Sequence, residues 1–356
     1  MNRRGFIGAS IGLTVAGMLP QSLQAKKPNI SAEKKSIEII KPKRLKSGDT
    51  IGLVAPAWKL TDNQLENAKK HMETLGFKPY YTSRATGGYG YFGNTDKERA
   101  ADVNEMFANP DIDGIMCIRG GYGCARILDM IDYDMIRKNP KVFQGYSDIT
   151  ALSNAISQQT GLVTFHGPQA TTIYREYNTY QFKNVVMNPS DRYLIENADG
   201  DLERAKEHSV SERYTIVAGE ASGPLAGGNL MLVTSVVGTP WEVDSKDKIV
   251  FFEEVDEEPY RIDGMLTQLI NSGKLQQAAG IVFGICIGCE RPEKTDAPDS
   301  FTLREVIEDR IKPLGIPAAY GLSFGHNIHN FTIPIGINAR FNADAMQLEL
   351  LEKAVK

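Results

Sequence analysis

GYSDIT, residues 145–150, stands between an apolar pair, Val142-Phe143, and an apolar-periodic run, Ile149, Leu152 and Ile156. That order reads as strand, sharp turn, helix, with Ser147 at the turn. A serine placed there is lifted off the end of a sheet, and the free N–H groups of the following helix point toward it. Acyl transfer needs this arrangement: an exposed hydroxyl with backbone donors ready for an oxyanion. The plainer reading is that Ser147 or Asp148 caps the helix, the commoner use of either residue type at such a position. The G-x-S-x-G elbow pattern is also incomplete, because Ile149 stands where the second glycine would be.

The segments on either side repeat the same alternation. Thr50–Pro56 reads as a buried strand. Leu65, Ala68, Met72 and Leu75 recur at helical spacing before Gly76. Phe77–Thr82 reads as the next strand, and Thr95 with Glu98 opens a helix to Ala108. Gly114–Arg119, Lys141–Tyr146 and Leu162–Phe165 read as strands, with helices over 124–131 and 148–159. Strands alternating with helices imply a parallel sheet covered on both faces, with sites at the carboxyl ends of its strands. Ser147 and the glycine run Gly120-Gly121-Tyr122-Gly123 both fall at such ends.

Residues 185–215 are polar and carry turn chemistry at Asn197-Ala198-Asp199-Gly200, so they read as a connection. Beyond them Gly227-Gly228-Asn229 opens a helix to about Val237. Lys248–Val255 and Gly280–Ile287 read as strands, and 261–272 and 303–312 as helices. Ile333–Phe341 and Met346–Leu351 read as an antiparallel hairpin. The expected organisation is residues 44–184 as one α/β domain, 185–215 as connector, and 216–356 as a second α/β domain with a mixed sheet.

Composition narrows the function classes. Hydrophobic residues make up 42% and charged residues 24% of a 356-residue chain with net charge −4, as in a globular protein without a nucleic-acid-binding basic face. The beginning, Met1-Asn2-Arg3-Arg4-Gly5-Phe6-Ile7, leads into a mild apolar run ending at Leu19. Twin arginines before a short, weakly hydrophobic core are the pattern of an export signal over residues 1–25, with 26–43 as an exposed lead-in. The expected location is the periplasm; an uncleaved leader would instead tether the protein to the inner membrane. Cys286 and Cys289 lack a second pair at zinc-ligand spacing, and Cys117 lies in an apolar run, so no structural metal is expected.

A serine nucleophile needs a base, and the chain has five histidines. His71 lies in an amphipathic helix and His208 in the connector. His166 ends a strand in TFHGP, and His326 and His329 lie in the glycine-bracketed stretch GLSFGHNIHN. On residue types alone His166 and His326 are equal candidates. For the orienting carboxylate, Glu253 and Glu254 end the apolar strand IVFF, and alternation predicts that one of them points inward. The acidic run from Glu253 to Glu258 otherwise reads as solvated surface. A glycine N–H of the Gly120–Gly123 loop together with that of Asp148 would make an oxyanion hole.

Taken together these segments resemble the LD-carboxypeptidase family of serine peptidases. The matching pieces are DTIGLVAP at 49–56, RGGYGCARIL at 119–128, GYSDITAL at 145–152, HGP at 166–168, GGNL at 227–230, GTP at 238–240, FFEEVDEEPYRIDGML at 251–266 and FGH at 324–326. The resemblance implies a flavodoxin or class I amidotransferase-like N-terminal parallel-sheet domain and a C-terminal α/β domain. It implies Ser147 as nucleophile, Glu253 as orienter and His326 as base, with Gly121 and Asp148 giving oxyanion N–H groups and Arg119 and Tyr122 as substrate contacts. It also implies a murein tetrapeptide as substrate and no metal or organic cofactor, and it allows a homodimer. Two rivals remain on the sequence: a microcin C immunity-type peptidase with the same triad, and an exported muropeptide-binding protein without turnover. Ala57-Trp58 after VAP departs from the serine that relatives commonly carry there.

Overall fold

A computed structural model describes residues 37–206, 209–290 and 300–356. The leader, the first part of the lead-in and His208 therefore lie outside the described residues. In chain order the strands are β1 (Thr50–Val54), β2 (Lys78–Tyr80), β3 (Gly114–Cys117), β4 (Val142–Gly145), β5 (Thr164–His166), β6 (Tyr193–Ile195) and β7 (Tyr214–Val217). They continue with β8 (Glu220–Asn229), β9 (Ile249–Glu253), β10 (Gly280–Gly284), β11 (Ala318–Leu322), β12 (Ile333–Ile335), β13 (Asn338–Asn342) and β14 (Gln347–Leu350).

The first sheet has the order β12-β5-β4-β3-β1-β2, parallel throughout except for β12. The second has the order β6-β14-β13-β8-β9-β10-β11-β7, with β8 to β11 parallel and the flanking strands antiparallel. The chain is thus α/β with one mostly parallel and one mixed sheet. The helices that serve the site are α1 (Asp62–Thr74), α2 (Asp96–Ala108), α3 (Tyr133–Lys138) and α4 (Thr150–Thr160). The first has a full capping box, Thr61 with Gln64, and the second starts where Thr95 Oγ1 accepts the Glu98 N–H at 3.3 Å.

Several expected boundaries move for local reasons. Residues 124–130 form a 3-10 helix rather than an α-helix, and its first N–H, that of Cys124, donates to the Asp148 carboxylate (2.8 Å). Gly227 and Gly228 belong to the end of β8, and the helix starts only at Leu230, with Asn229 Oδ1 capping the Leu232 N–H at 3.2 Å. The run Ile333–Phe341 is divided. Its first three residues pair with β5 in the first sheet, and only β13 and β14 form the hairpin in the second. Residues 185–215 hold β6, the helix Asp199–Ala205 and the start of β7.

The interior near the site is aromatic. Phe251 of β9 stacks edge-on against Phe324 (5.9 Å), which packs on Phe331 (5.4 Å), and Phe165 of β5 is buried in the same cluster. Each such ring removes on the order of 150–250 Å² from water. Strand β5, strand β9 and the loop after β11 are therefore held against one another, and each brings a polar residue to the same place.

Candidate active site

Ser147 follows β4 with φ +63°, a left-handed conformation that a residue with a Cβ adopts at a cost of about 1–2 kcal/mol. The turn is gripped from both sides. The Tyr146 carbonyl accepts from Gln169 Nε2 (2.7 Å), whose Oε1 accepts the Gly120 N–H (3.0 Å). Gly120 is so close that a methyl group there would lie 3.0 Å from Ser147 Oγ. The glycine loop after β3 therefore abuts the serine. Among the described residues, no acceptor takes the N–H of Gly121, and Asp148 lies in the 3-10 turn Ser147–Ile149 that follows the serine. Gly121 has φ +123°, and a Cβ on it would run into the Trp58 ring. The side chain of Asp148 is buried, with its Oδ2 on the Cys124 N–H and its carboxyl raised above the ordinary range by burial.

Helix α4, which follows the serine, is tied to the second sheet. Asn154 Nδ2 donates to the Gly227 carbonyl at 2.8 Å, and Thr150 Oγ1 accepts the Asn229 N–H at 3.0 Å. Asn229 is in register with Glu253 at the end of β9. The serine turn and the glutamate are thus referenced to one short piece of backbone.

Glu253 is fully buried. His326 Nδ1–H donates to its Oε2 at 2.6 Å. Close approach is required here: with φ +99° at Gly325, a Cβ would fall 2.6 Å from Glu253 Cβ, so only glycine fits. Burial alone would raise the Glu253 carboxyl, but the charge and hydrogen bond of His326, with His166 behind, hold it below the ordinary range. Burial works against the imidazolium of His326, and Glu253 outweighs it, so this histidine titrates above the usual value. The Tyr146 ring stands edge-on to His326 at 4.9 Å, next to Ser147 in the chain. Among the described residues no hydrogen bond joins Ser147 Oγ to His326. Catalytic contacts of this kind commonly tighten only when substrate binds.

The second glutamate is a correction to strict alternation. Glu254 is buried as well, accepting from Asn229 Nδ2 and the Met231 N–H (both 2.8 Å) and from the Val255 N–H (3.0 Å). The strand ends at Glu253, so the period of two no longer applies to its neighbour. Burial, reinforced by Glu253, pushes the Glu254 carboxyl up to about 7.

Residues that the sequence left unassigned hold the His326 loop. Asp201, fully buried, accepts from Ser323 Oγ (2.6 Å), Asn327 Nδ2 (2.8 Å) and His329 Nδ1 (2.8 Å). His329 is thereby an anchor of the loop, and the only sign of its partner was an acid beside the Asn197–Gly200 turn. His71 Nδ1 bonds the Ala170 carbonyl at 2.9 Å, away from the serine. His166 is at the site, its Nε2 4.0 Å from Glu253 Oε1. Arg119 lies over the Trp58 ring (5.3 Å), with Nη1 near the Lys59 carbonyl (3.4 Å) and Gln64 Oε1 (3.3 Å). It makes no ion pair among the described residues, and burial lowers its pKa. Tyr122 is exposed and stacks on Phe92 at 6.0 Å. All four cysteines are free and buried.

A histidine oriented by a buried carboxylate and packed on Tyr146, the chain neighbour of a serine on a strained turn, fits the equipment of a serine hydrolase. Comparison with known proteins agrees. Residues 51–167 match the LD-carboxypeptidase N-terminal domain, and residues 222–341 match the LD-carboxypeptidase C-terminal domain.

The chain belongs to the LD-carboxypeptidase family.

As such it is a hydrolase, a serine-type LD-carboxypeptidase. It is 40% identical to the probable murein peptide carboxypeptidase of Bacillus subtilis (strain 168), over 85% of this chain and 91% of that protein. It is 28% identical to the microcin C7 self-immunity protein of Escherichia coli, over 86% of this chain and 94% of the other. The crystal structure of muramoyltetrapeptide carboxypeptidase from Oxalobacter formigenes superimposes with a TM-score of 0.70 at 26% identity, covering 85% of this LD-carboxypeptidase and 97% of that chain.

Proposed function

We propose that this LD-carboxypeptidase removes the terminal D-alanine from a murein tetrapeptide. The observation that carries the reading is the buried Glu253 bonded at 2.6 Å to His326, beside a serine held at φ +63°. In this reading Ser147 Oγ attacks the carbonyl of the L,D bond and its proton passes to His326 Nε2. The N–H groups of Gly121 and Asp148 hold the oxyanion. The imidazolium, stabilised by Glu253, returns the proton to the amine of D-alanine as the bond breaks, and water then releases the acyl group by the same route. Arg119, cationic and without an ion-pair partner among the described residues, supplies the charge that an exopeptidase needs for the free carboxylate.

Support for the substrate comes from the murein peptide and muramoyltetrapeptide names of the relatives. The test is incubation of purified protein with synthetic tetra- and pentapeptide stems and identification of the products. Free D-alanine from the tetrapeptide alone is expected; hydrolysis of neither stem overturns the reading. One observation favours a second substrate, an aminoacyl-nucleotide of the type a microcin immunity protein meets. Trp58 presents an exposed ring beside the glycine loop, suited to stacking on a base. Cleavage of an aminoacyl sulfamoyl adenosine in preference to the tetrapeptide would decide for it.

We also propose that the enzyme works in the periplasm. The support is the Arg3-Arg4 leader.

A further inference from the structure

The environment of His166 is unusual for a buried imidazole. Its side chain is fully enclosed, yet neither ring nitrogen has a hydrogen-bond partner among the described residues. Glu253 Oε1, the carboxylate oxygen that His326 does not use, shares that condition, as does Thr332 Oγ1 against Gly167. The His166 and Glu253 orphans face each other, with Nε2 4.0 Å from Oε1. Buried polar groups are rarely left unpaired, because each costs on the order of 1–3 kcal/mol. The Asn229 side-chain amide also bears on the Glu253 carboxylate and helps to hold it below the ordinary range. The remaining sides of the ring are closed. Phe251 packs edge-on at 5.4 Å and Tyr146 at 6.2 Å. Gly228 backs the other nitrogen so closely that a Cβ there would lie 3.1 Å from Nδ1.

We propose that His166 is a positioning residue for Glu253: a neutral second imidazole whose Nε2–H is aimed at Oε1 and keeps the carboxylate plane turned toward His326. The proposal rests on the reading of Ser147, Glu253 and His326 as a triad. It accounts for why a carboxylate whose Oε1 has no hydrogen bond among the described residues keeps one orientation, since the His326 bond alone leaves it free to rock about that contact. Neutrality matters as much as direction. A charged His166 would take up the negative field that His326 needs when it becomes imidazolium, and burial prevents this by lowering the His166 pKa to about 4. The charged and titratable neighbours are Glu253, which favours its protonation, and His326, which opposes it. The HGP motif thereby gains a function that neither a base nor a structural filler provides.

The test uses the full chain with His166→Phe, which keeps a flat ring without a donor, and His166→Gln, which restores an N–H. With murein tetrapeptide, H166F should lose about 10- to 100-fold in kcat with KM within about twofold, as expected when only transition-state orientation suffers. H166Q should recover most of that loss. A second readout needs no substrate: the His326 titration followed by nitrogen-15 histidine NMR of the free enzyme. In H166F the carboxylate is free to turn away from His326, so the charge and hydrogen bond that raise the His326 midpoint weaken and it should fall by about half a unit or more, and in H166Q it should return toward the parent value. Should H166F fail to fold, His166→Met, unbranched and adaptable, carries the same expectations. Parent-like kcat and an unmoved His326 midpoint in the donor-less variant would overturn the proposal. So would equal losses in H166F and H166Q with that midpoint unmoved, which mark packing alone. If the parent cleaves no tetrapeptide while the midpoint still moves, the substrate reading falls and the positioning role stands.

Discussion

Replacing Ser147 by glycine and by alanine separates two properties that the turn combines. The residue sits at φ +63°. Holding a Cβ in that region costs about 1–2 kcal/mol, whereas glycine enters it freely. Glycine also makes the unfolded chain more disordered, a loss of about 0.4–1 kcal/mol. The difference leaves S147G more stable than S147A by about 0.5–1 kcal/mol. Alanine keeps the Cβ and loses only a hydroxyl that has no hydrogen bond among the described residues, so S147A should match the parent within about 0.5 kcal/mol. Both should lose about 10⁴- to 10⁶-fold in turnover, since the nucleophile is gone. The assays are urea unfolding of the three proteins and D-alanine release from tetrapeptide. A glycine variant less stable than the alanine variant would refute the strain argument. Near-normal turnover of S147A would refute the nucleophile.

His326→Ala should fall nearly as far as S147A because the two act as a unit, while Glu253→Gln should be milder, with product release rates giving the order. With His326 in the proposed role of base it must be neutral to act, and it titrates above its ordinary value of 6.5, so kcat/KM should climb with pH through a midpoint above 6.5. The stability gained from its ion pair is full at low pH and fades as pH rises through that same midpoint. Glu254, raised from 4.5 to about 7, likewise contributes stability below its unfolded value that is lost as pH rises through about 7. Glu254→Gln removes this titration, so the fall in stability between pH 4.5 and about 7 should flatten in denaturation at several pH values. It does so at the cost of one buried N–H left facing the new amide NH2, because Asn229 and Met231 bond different carboxylate oxygens. Gly121→Ala puts a Cβ into Trp58 at a left-handed φ; with its N–H in the proposed oxyanion role, kcat should fall by about 10²-fold or more in the same release assay. Changing Arg3 and Arg4 to lysine should keep the protein in the cytoplasm, and periplasmic activity equal to the parent's in fractionated cells would refute export by this route.

The alternation of β1, α1, α2, β3, β4 and α4 was legible because each element carries its own periodicity and its own cap or glycine stop. The serine turn was legible for the same reason. What escaped depends on pairing across long separations. Nothing local distinguishes Ile333–Ile335 from the strand that follows it, so its return to β5 could not be seen. Period two failed at Glu254 because the strand stops one residue earlier, and the acid is claimed by the Asn229 side chain and by the N–H groups of Met231 and Val255. Asp201 looked like part of a polar connector, because its partners Ser323, Asn327 and His329 come more than a hundred residues later. The choice between His326 and His166 was undecidable from residue types. Both lie within 4.0 Å of Glu253, and only coordinates show that one bonds a carboxylate oxygen and the other faces the second.

The antiparallel strand β12 has a consequence for synthesis. It covers the outer edge of β5, yet β5 ends at His166 and β12 begins at Ile333. At about 5–20 residues per second, the ribosome takes roughly 10–30 s to supply the covering strand after its partner has been made. Throughout that interval the sheet that carries Ser147 presents a bare row of N–H and C=O groups, a template for any passing strand. The sheet that carries Ser147 is thus the first to begin and among the last to close, and a nascent chain stalled before residue 333 should bind a holding chaperone rather than fold.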